Sequence, residues 1–191
     1  MEVSSTKTFQ VSADIDSVWS VLNDPQQVVV CVPGAQLTEV LDEDHFKGKV
    51  TLKIGPVTAK FNGKVEFTQR DSAKYELALE GKGADISGKG GASMKMSLSL
   101  RALEKHTEVT SIMSVSITGR IAQFGARMIE AVNNKLFEQF TQNFSNLLAK
   151  ENVAAGAGTN SPEAEPVKAA SLVGSVIVSE LKKKFGKKVP L

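Results

Sequence analysis

The stretch FKGKVTLKIGPVTAKFNGKVEF, residues 46–67, decides the fold. Phe46, Gly48, Val50, Leu52 and Ile54 alternate with Lys47, Lys49, Thr51 and Lys53. Beyond Gly55-Pro56, Val57, Ala59, Phe61, Gly63, Val65 and Phe67 alternate with Thr58, Lys60, Asn62, Lys64, Glu66 and Thr68. A period of two sends alternate side chains to opposite faces of a pleated strand, and Gly-Pro between two such runs makes a turn. The segment is an antiparallel hairpin with one apolar, buried face and one lysine-rich, solvated face.

Downstream the same period recurs. It appears in Tyr75, Leu77 and Leu79, in Met94, Met96, Leu98 and Leu100, and in Val109, Ser111, Met113, Val115 and Ile117. Residues 36–118 thus hold six strands, and EVSSTKTFQV before them supplies a seventh that ends at Val11. GKGADISGKGGA, residues 81–92, is too glycine-rich for two flat strands and reads as a turn with bulges. Two short helices follow the first strand. One has Ser12 as N-cap, with Ile15, Val18, Trp19 and Leu22 on one face, and the other opens at Pro25 and ends before Pro33-Gly34.

After residue 118 the period lengthens. Ile121, Phe124, Met128, Val132, Leu136, Phe140, Phe144 and Leu147 recur every three or four residues, which predicts one amphipathic helix over roughly 120–149. A sheet with one apolar face needs a cover, and this helix is the element large enough to give it. The expected architecture is α+β, a curved seven-stranded antiparallel sheet gripping a long C-terminal helix.

The order of these elements resembles the START-like, or SRPBCC, superfamily. CVPGAQL (31–37), GKVTLKIGPVTAKFNGKV (48–65) and GKGADISGKGGA (81–92) are similar to the CoxG family of carbon monoxide dehydrogenase over residues 1 to about 148. The resemblance implies a deep sheet–helix cavity and a small accessory protein working beside a molybdenum hydroxylase, with roles in assembly or membrane attachment. It implies no defined active site, because the matching glycines and Pro-Gly are structural punctuation.

The chemistry-bearing residues agree with that. His45 and His106 lie in charged turns, and Cys31 sits in the apolar VVVCVPG with no cation near to lower its pKa. The acids of LDEDH read as a turn, and the glycine stretch lacks the spacing of a phosphate-binding loop. A lone cysteine makes neither a disulfide nor a multi-cysteine metal site. No catalytic constellation and no metal site is expected, and no covalently bound cofactor.

The apolar interior is the stronger candidate. Alternation and the helical stripe put Phe61, Leu77, Met94, Met96, Met113, Val115, Phe124 and Met128 on inward faces. Methionine fills irregular space and adapts to bulky apolar ligands, although ordinary core packing uses it too. Analogy with the superfamily adds Trp19 and Val29 at the mouth of the cavity. On the other face Lys47, Lys49, Lys53, Lys60 and Lys64 make either a solvated surface or a docking patch for an acidic partner.

Of 23 basic residues six lie in 151–191, and of 21 acidic residues four do, so residues 1–150 balance at 17 of each. A neutral body with few aromatics carries no footprint for nucleic acid. The expected organisation is a ligand-binding domain over 1–150, a small, polar, proline-bearing linker over 151–170, and a basic amphipathic helix over 171–191. In the last segment Leu172, Val173, Val176, Ile177, Leu181 and Phe185 recur at helical spacing, and Lys182, Lys183, Lys184, Lys187 and Lys188 cluster at its end. Such a segment reads as a reversible membrane anchor, with a partner-docking helix or a solubilising tail as the alternatives. MEVSSTKTFQV has no apolar core of a secretory signal, and no apolar run approaches the ~18 residues that span a bilayer. The expected location is the cytoplasm, peripherally on the inner face of the cell membrane.

A cavity and a tethered anchor together describe a carrier of a membrane-soluble molecule. With the resemblance, the expected function is non-enzymatic. The protein takes a respiratory quinone such as menaquinone from the bilayer to a molybdenum hydroxylase of the carbon monoxide dehydrogenase type. The alternatives are a recruitment or assembly adaptor that holds no ligand, and a cyclase-like enzyme of the same superfamily.

Overall fold

Alternating side chains build the sheet as the sequence leads one to expect. In a computed structural model, which describes residues 1–156 other than Lys89 and side chains as far as Lys150, the first strand is β1 (Glu2–Val11). Then come α1 (Ile15–Asn23), α2 (Pro25–Val28) and a 3₁₀ turn (Val29–Cys31). The meander follows as β2 (Ala35–Val40), β3 (His45–Ile54), β4 (Val57–Asp71), β5 (Glu76–Asp85), β6 (Gly90–Ala102) and β7 (Thr107–Gly119). A second 3₁₀ turn (Arg120–Phe124) leads into α3 (Ala126–Gly156). All seven strands form one antiparallel sheet in the order β1-β7-β6-β5-β4-β3-β2. Residues Met1–Ala155 make one compact unit.

Four local expectations are corrected. The cap of α1 is Asp14 and not Ser12. The Asp14 carboxylate accepts from the Ser17 amide at 2.9 Å and from the Ser17 hydroxyl at 2.7 Å. Satisfying two donors outweighs the hydroxyl of Ser12 two residues earlier. Tyr75 does not continue β5 but occupies the preceding turn at φ +54, held by a 2.5 Å hydrogen bond from its hydroxyl to Asp16.

The glycine stretch 81–92 is not a bulged turn: β5 runs on to Asp85 and β6 resumes at Gly90, while the bulges lie at Leu37/Glu39 and Phe67/Gln69. Gly48, Gly63 and Gly83 stand opposite one another across β3, β4 and β5. The strands crowd there, because a Cβ on Gly63 would lie 2.6 Å from the Lys82 carbonyl oxygen. The absent side chains let the sheet coil where larger residues would hold the strands apart.

The long helix begins six residues later than expected. Gly125, at φ +80, separates the 3₁₀ turn carrying Phe124 from α3. At its other end α3 continues to Gly156, into the first residues of the expected linker. The remaining linker and the whole basic segment 171–191 lie outside the described residues.

The helix meets the inner face of the sheet in two packed regions. Toward its N-terminus Ile129 and Val132 join Val3, Ile54, Phe61, Ile117 and Ile121. Toward its C-terminus Phe144 and Leu148 join Val11, Val18, Leu100 and Val109, with Phe140 stacked on Phe144. Between these regions Asn133 Nδ2 donates to Ser5 Oγ at 3.0 Å, and Lys7 Nζ donates to Asn134 Oδ1 at 2.7 Å, tying the helix to β1.

Candidate functional site

The inner face is where the expected ligand-lining residues fall. Register places Met94 opposite Val115, Met96 opposite Met113, and Leu79 opposite Met96, so these side chains share the face that carries Phe61 and Leu77. Phe61 and Leu77 are buried, while Met94, Met96, Met113 and Val115 keep part of their surface accessible in the middle of the sheet.

The packed regions account for the rest. Phe61, Val115 and Phe124 belong to the region around Ile129. Leu77 forms a third cluster with Phe46 and Phe67, joined by Leu79, Leu98 and Trp19 and by no residue of α3. Met94, Met96 and Met113 lie in none of the three clusters, although they face inward between them. Their neighbours Gly81 and Gly83 add no side chain to the same face. The three methionines are adaptable, sulfur-bearing side chains with accessible surface, bounded by packed regions.

Three of the ten residues stand apart from this group. Met128 is 37% exposed at the start of α3, where a Cβ on Gly55 would lie 3.7 Å from its Cε, so it packs over the β3–β4 turn. Helical phase alone put it inward, but the 3₁₀ turn and Gly125 reset that phase. Val29 is half-buried in the first 3₁₀ turn. Trp19 is half-buried with its ring edge-on to Tyr75 at 5.7 Å. The Tyr75–Asp16 hydrogen bond and this ring contact fasten the β4–β5 turn to α1, a latch with no signal in the alternation.

A hollow of about 800 Å³ lies elsewhere. Its side chains include Asn62, Lys64, Lys82, Ser93, Ser116 and Thr118, all on the face opposite Phe61 and Val109, and none of the ten expected residues lines it. Sequence reading identifies Lys64 on this face but neither Lys82 nor the hollow.

Acid–base chemistry is sparse. Cys31 is buried in the core. Among the described residues no group of three or more histidine, cysteine or acidic side chains is placed to hold a metal ion. His45 is the titratable group with the most developed surroundings: its Nδ1 lies 2.8 Å from Asp42 and its Nε2 lies 3.8 Å from Glu66. The hydrogen bond to Asp42 raises its pKa above the ordinary 6.5, with Glu66 and Asp44 adding to the effect, and lowers that of Asp42. A raised histidine pKa contributes stability that is full below the unfolded value and is lost as pH rises through the folded one. The His45 imidazole should therefore titrate above 6.5 when followed by NMR, and its midpoint should move down toward the ordinary value in Asp42→Asn.

A seven-stranded antiparallel sheet around a long C-terminal helix, with two short helices after the first strand, is the helix-grip fold of the START-like, or SRPBCC, proteins. Residues 8–149 match the model of the carbon monoxide dehydrogenase CoxG family, and the chain belongs to that family. The family is an accessory component of carbon monoxide dehydrogenase and not the catalytic one. Among solved structures, a conserved protein from Geobacillus kaustophilus is 24% identical with a TM-score of 0.71, over 78% of this chain and 97% of that one. The Zhui aromatase/cyclase from Streptomyces sp. R1128 is 15% identical with a TM-score of 0.61, over 82% and 99%. Norcoclaurine synthase from Thalictrum flavum is 13% identical with a TM-score of 0.54, over 78% and 87%. At such identities the likeness is one of fold, and it includes enzymes. No curated protein matches the chain. Among the described residues no helix is long and apolar enough to cross a membrane.

Proposed function

We propose that this protein binds a membrane-soluble apolar molecule, a respiratory quinone such as menaquinone, against the inner face of its sheet and delivers it to a molybdenum hydroxylase of the carbon monoxide dehydrogenase type. The observation that carries the reading is the group Met94, Met96 and Met113, inward-facing yet outside every packed cluster. Family membership supports the choice of partner, since an oxidising dehydrogenase must pass its electrons on and a quinone accepts them. The work is binding without chemistry, with the ring and isoprenoid chain sheltered from water by methionine and aromatic side chains.

Trp19 is the chain's single tryptophan and packs against the cluster of Phe46, Phe67 and Leu77, so its fluorescence reports on this face. Titrating detergent-solubilised menaquinone into the protein should quench that fluorescence saturably at one quinone per chain. Quenching that grows linearly, as in free collisions, would count against the reading.

The basic segment 171–191 gives the carrier its contact with the bilayer. Five lysines against Glu180 leave it at +4, and each basic residue near anionic lipid contributes about 1 kcal/mol. Full-length protein should float with anionic vesicles and detach as salt rises, because exposed charges are screened over about 8–10 Å near physiological ionic strength. Replacing Lys182, Lys183 and Lys184 with Gln should remove about 3 kcal/mol of this attachment, and Leu181→Glu should weaken it through the apolar stripe. Flotation that is indifferent to these changes would detach the tail from the mechanism.

A further inference from the structure

We propose that the outer face of β3, β4 and β5 is a docking surface for an acidic segment of a partner protein. Strand register brings Lys47, Lys64 and Lys82 directly opposite one another on three neighbouring strands. Adjacent strands lie about 4.8 Å apart, so three ammonium groups are tethered in one short row. Like charges placed directly across a sheet destabilise it, so the row costs the fold something that an anion lying over it would return.

The sheet's own acids leave much of this charge uncompensated. Lys47 pairs with Glu39 at 2.8 Å. Among the described residues no carboxylate lies within ion-pair distance of Lys64 or Lys82, nor of Lys49, Lys53 or Lys60 on the same face. Of the two acids that border the hollow, Glu80 pairs with Lys95 at 3.0 Å and Glu66 lies 3.8 Å from His45, which borders the hollow too. Positive charge therefore gathers over Lys64 and Lys82, with the Ser93, Ser116 and Thr118 hydroxyls beside it as hydrogen-bonding groups.

Shape selects the occupant. The face is hollowed by about 800 Å³, whereas a bilayer presents a plane that cannot enter a concavity. Glu66 and Glu80 at one end suit a guest whose acidic run is followed by a donor or a basic residue, which a protein segment can carry and a uniformly anionic lipid surface cannot. Residues four apart on a helix have Cβ atoms about 5–6 Å from one another, close to the spacing of the lysine row. The guest is an acidic helical segment laid across the strands over Lys47, Lys64 and Lys82. This surface is opposite the proposed quinone site, so each can fail without the other.

The test uses ¹⁵N-labelled full-length protein and a capped helical peptide of Glu-Ala-Ala-Ala repeats. Saturable shifts are expected in the amides of residues 63–65 and 82–84, weakening as salt rises. Lys64→Gln with Lys82→Gln should lower the peptide's affinity about tenfold, since each exposed pair is worth up to about fivefold. Lys105→Gln, in a turn outside the hollow, should leave affinity unchanged. The double variant must keep the remaining amide spectrum, which is expected because both lysines are exposed. Absence of saturable shifts, or affinity unchanged in the double variant, overturns the proposal. So do phosphatidylglycerol vesicles that shift these amides where the peptide does not, since the face would then be a lipid surface.

Discussion

Phe144→Ala should lower the unfolding free energy by about 3–5 kcal/mol and the melting temperature by about 10 °C. The Phe144 ring is fully buried where α3 closes on the sheet, edge-on to Phe9 at 6.1 Å and stacked on Phe140 at 5.5 Å. Truncation removes the apolar transfer energy and leaves a cavity that β1, β7 and α1 cannot all move to fill, since Val11, Val18 and Val109 are themselves buried. Thermal and denaturant unfolding of the full-length chain measure the loss. A change below about 1 kcal/mol would mean that the helix is not the cover of the sheet.

Met96→Trp should abolish quinone retention while leaving the fold intact. Met96 faces inward opposite Met113 and Leu79, between the packed regions and not within them, so an indole there occupies guest space with little displacement of core. Phe124→Trp is a poorer probe, because Phe124 packs with Ile121 and Ile129 and a larger ring would strain that region. The circular dichroism and melting point of Met96→Trp should match those of the parent, and equilibrium dialysis should find no menaquinone bound to it. Unaltered binding in a folded variant would place the guest elsewhere.

The two results probe features that are unequally legible in the sequence. Alternation around Gly55-Pro56 announces β3 and β4, and the three-to-four spacing of Phe140, Phe144 and Leu147 announces α3. Residues 81–92 mislead because the period of a strand is carried by its side chains, and glycine has none to show. The start of α3 is hard to place because a 3₁₀ turn keeps apolar residues near helical spacing, which hides the break at Gly125.

The candidate site divides in the same way. Met94, Met96 and Met113 can be placed on the inner face by parity alone. Their position between packed regions depends on where α3 touches the sheet, which no local pattern encodes. The lysines of β3 and β4 are visible strand by strand. That Lys64 meets Lys82, and that the face is hollow there, follows from register and coiling. The Tyr75–Asp16 latch joins residues 59 apart in sequence and leaves no periodic trace.

The central claim is that the inner face carries a quinone, and solvent extraction of purified full-length protein followed by mass spectrometry tests it most directly. The account predicts a menaquinone-like molecule in about one-to-one ratio with the chain, absent from Met96→Trp purified in parallel. Extracts free of any quinone, from protein that also fails to take up added menaquinone, would contradict it.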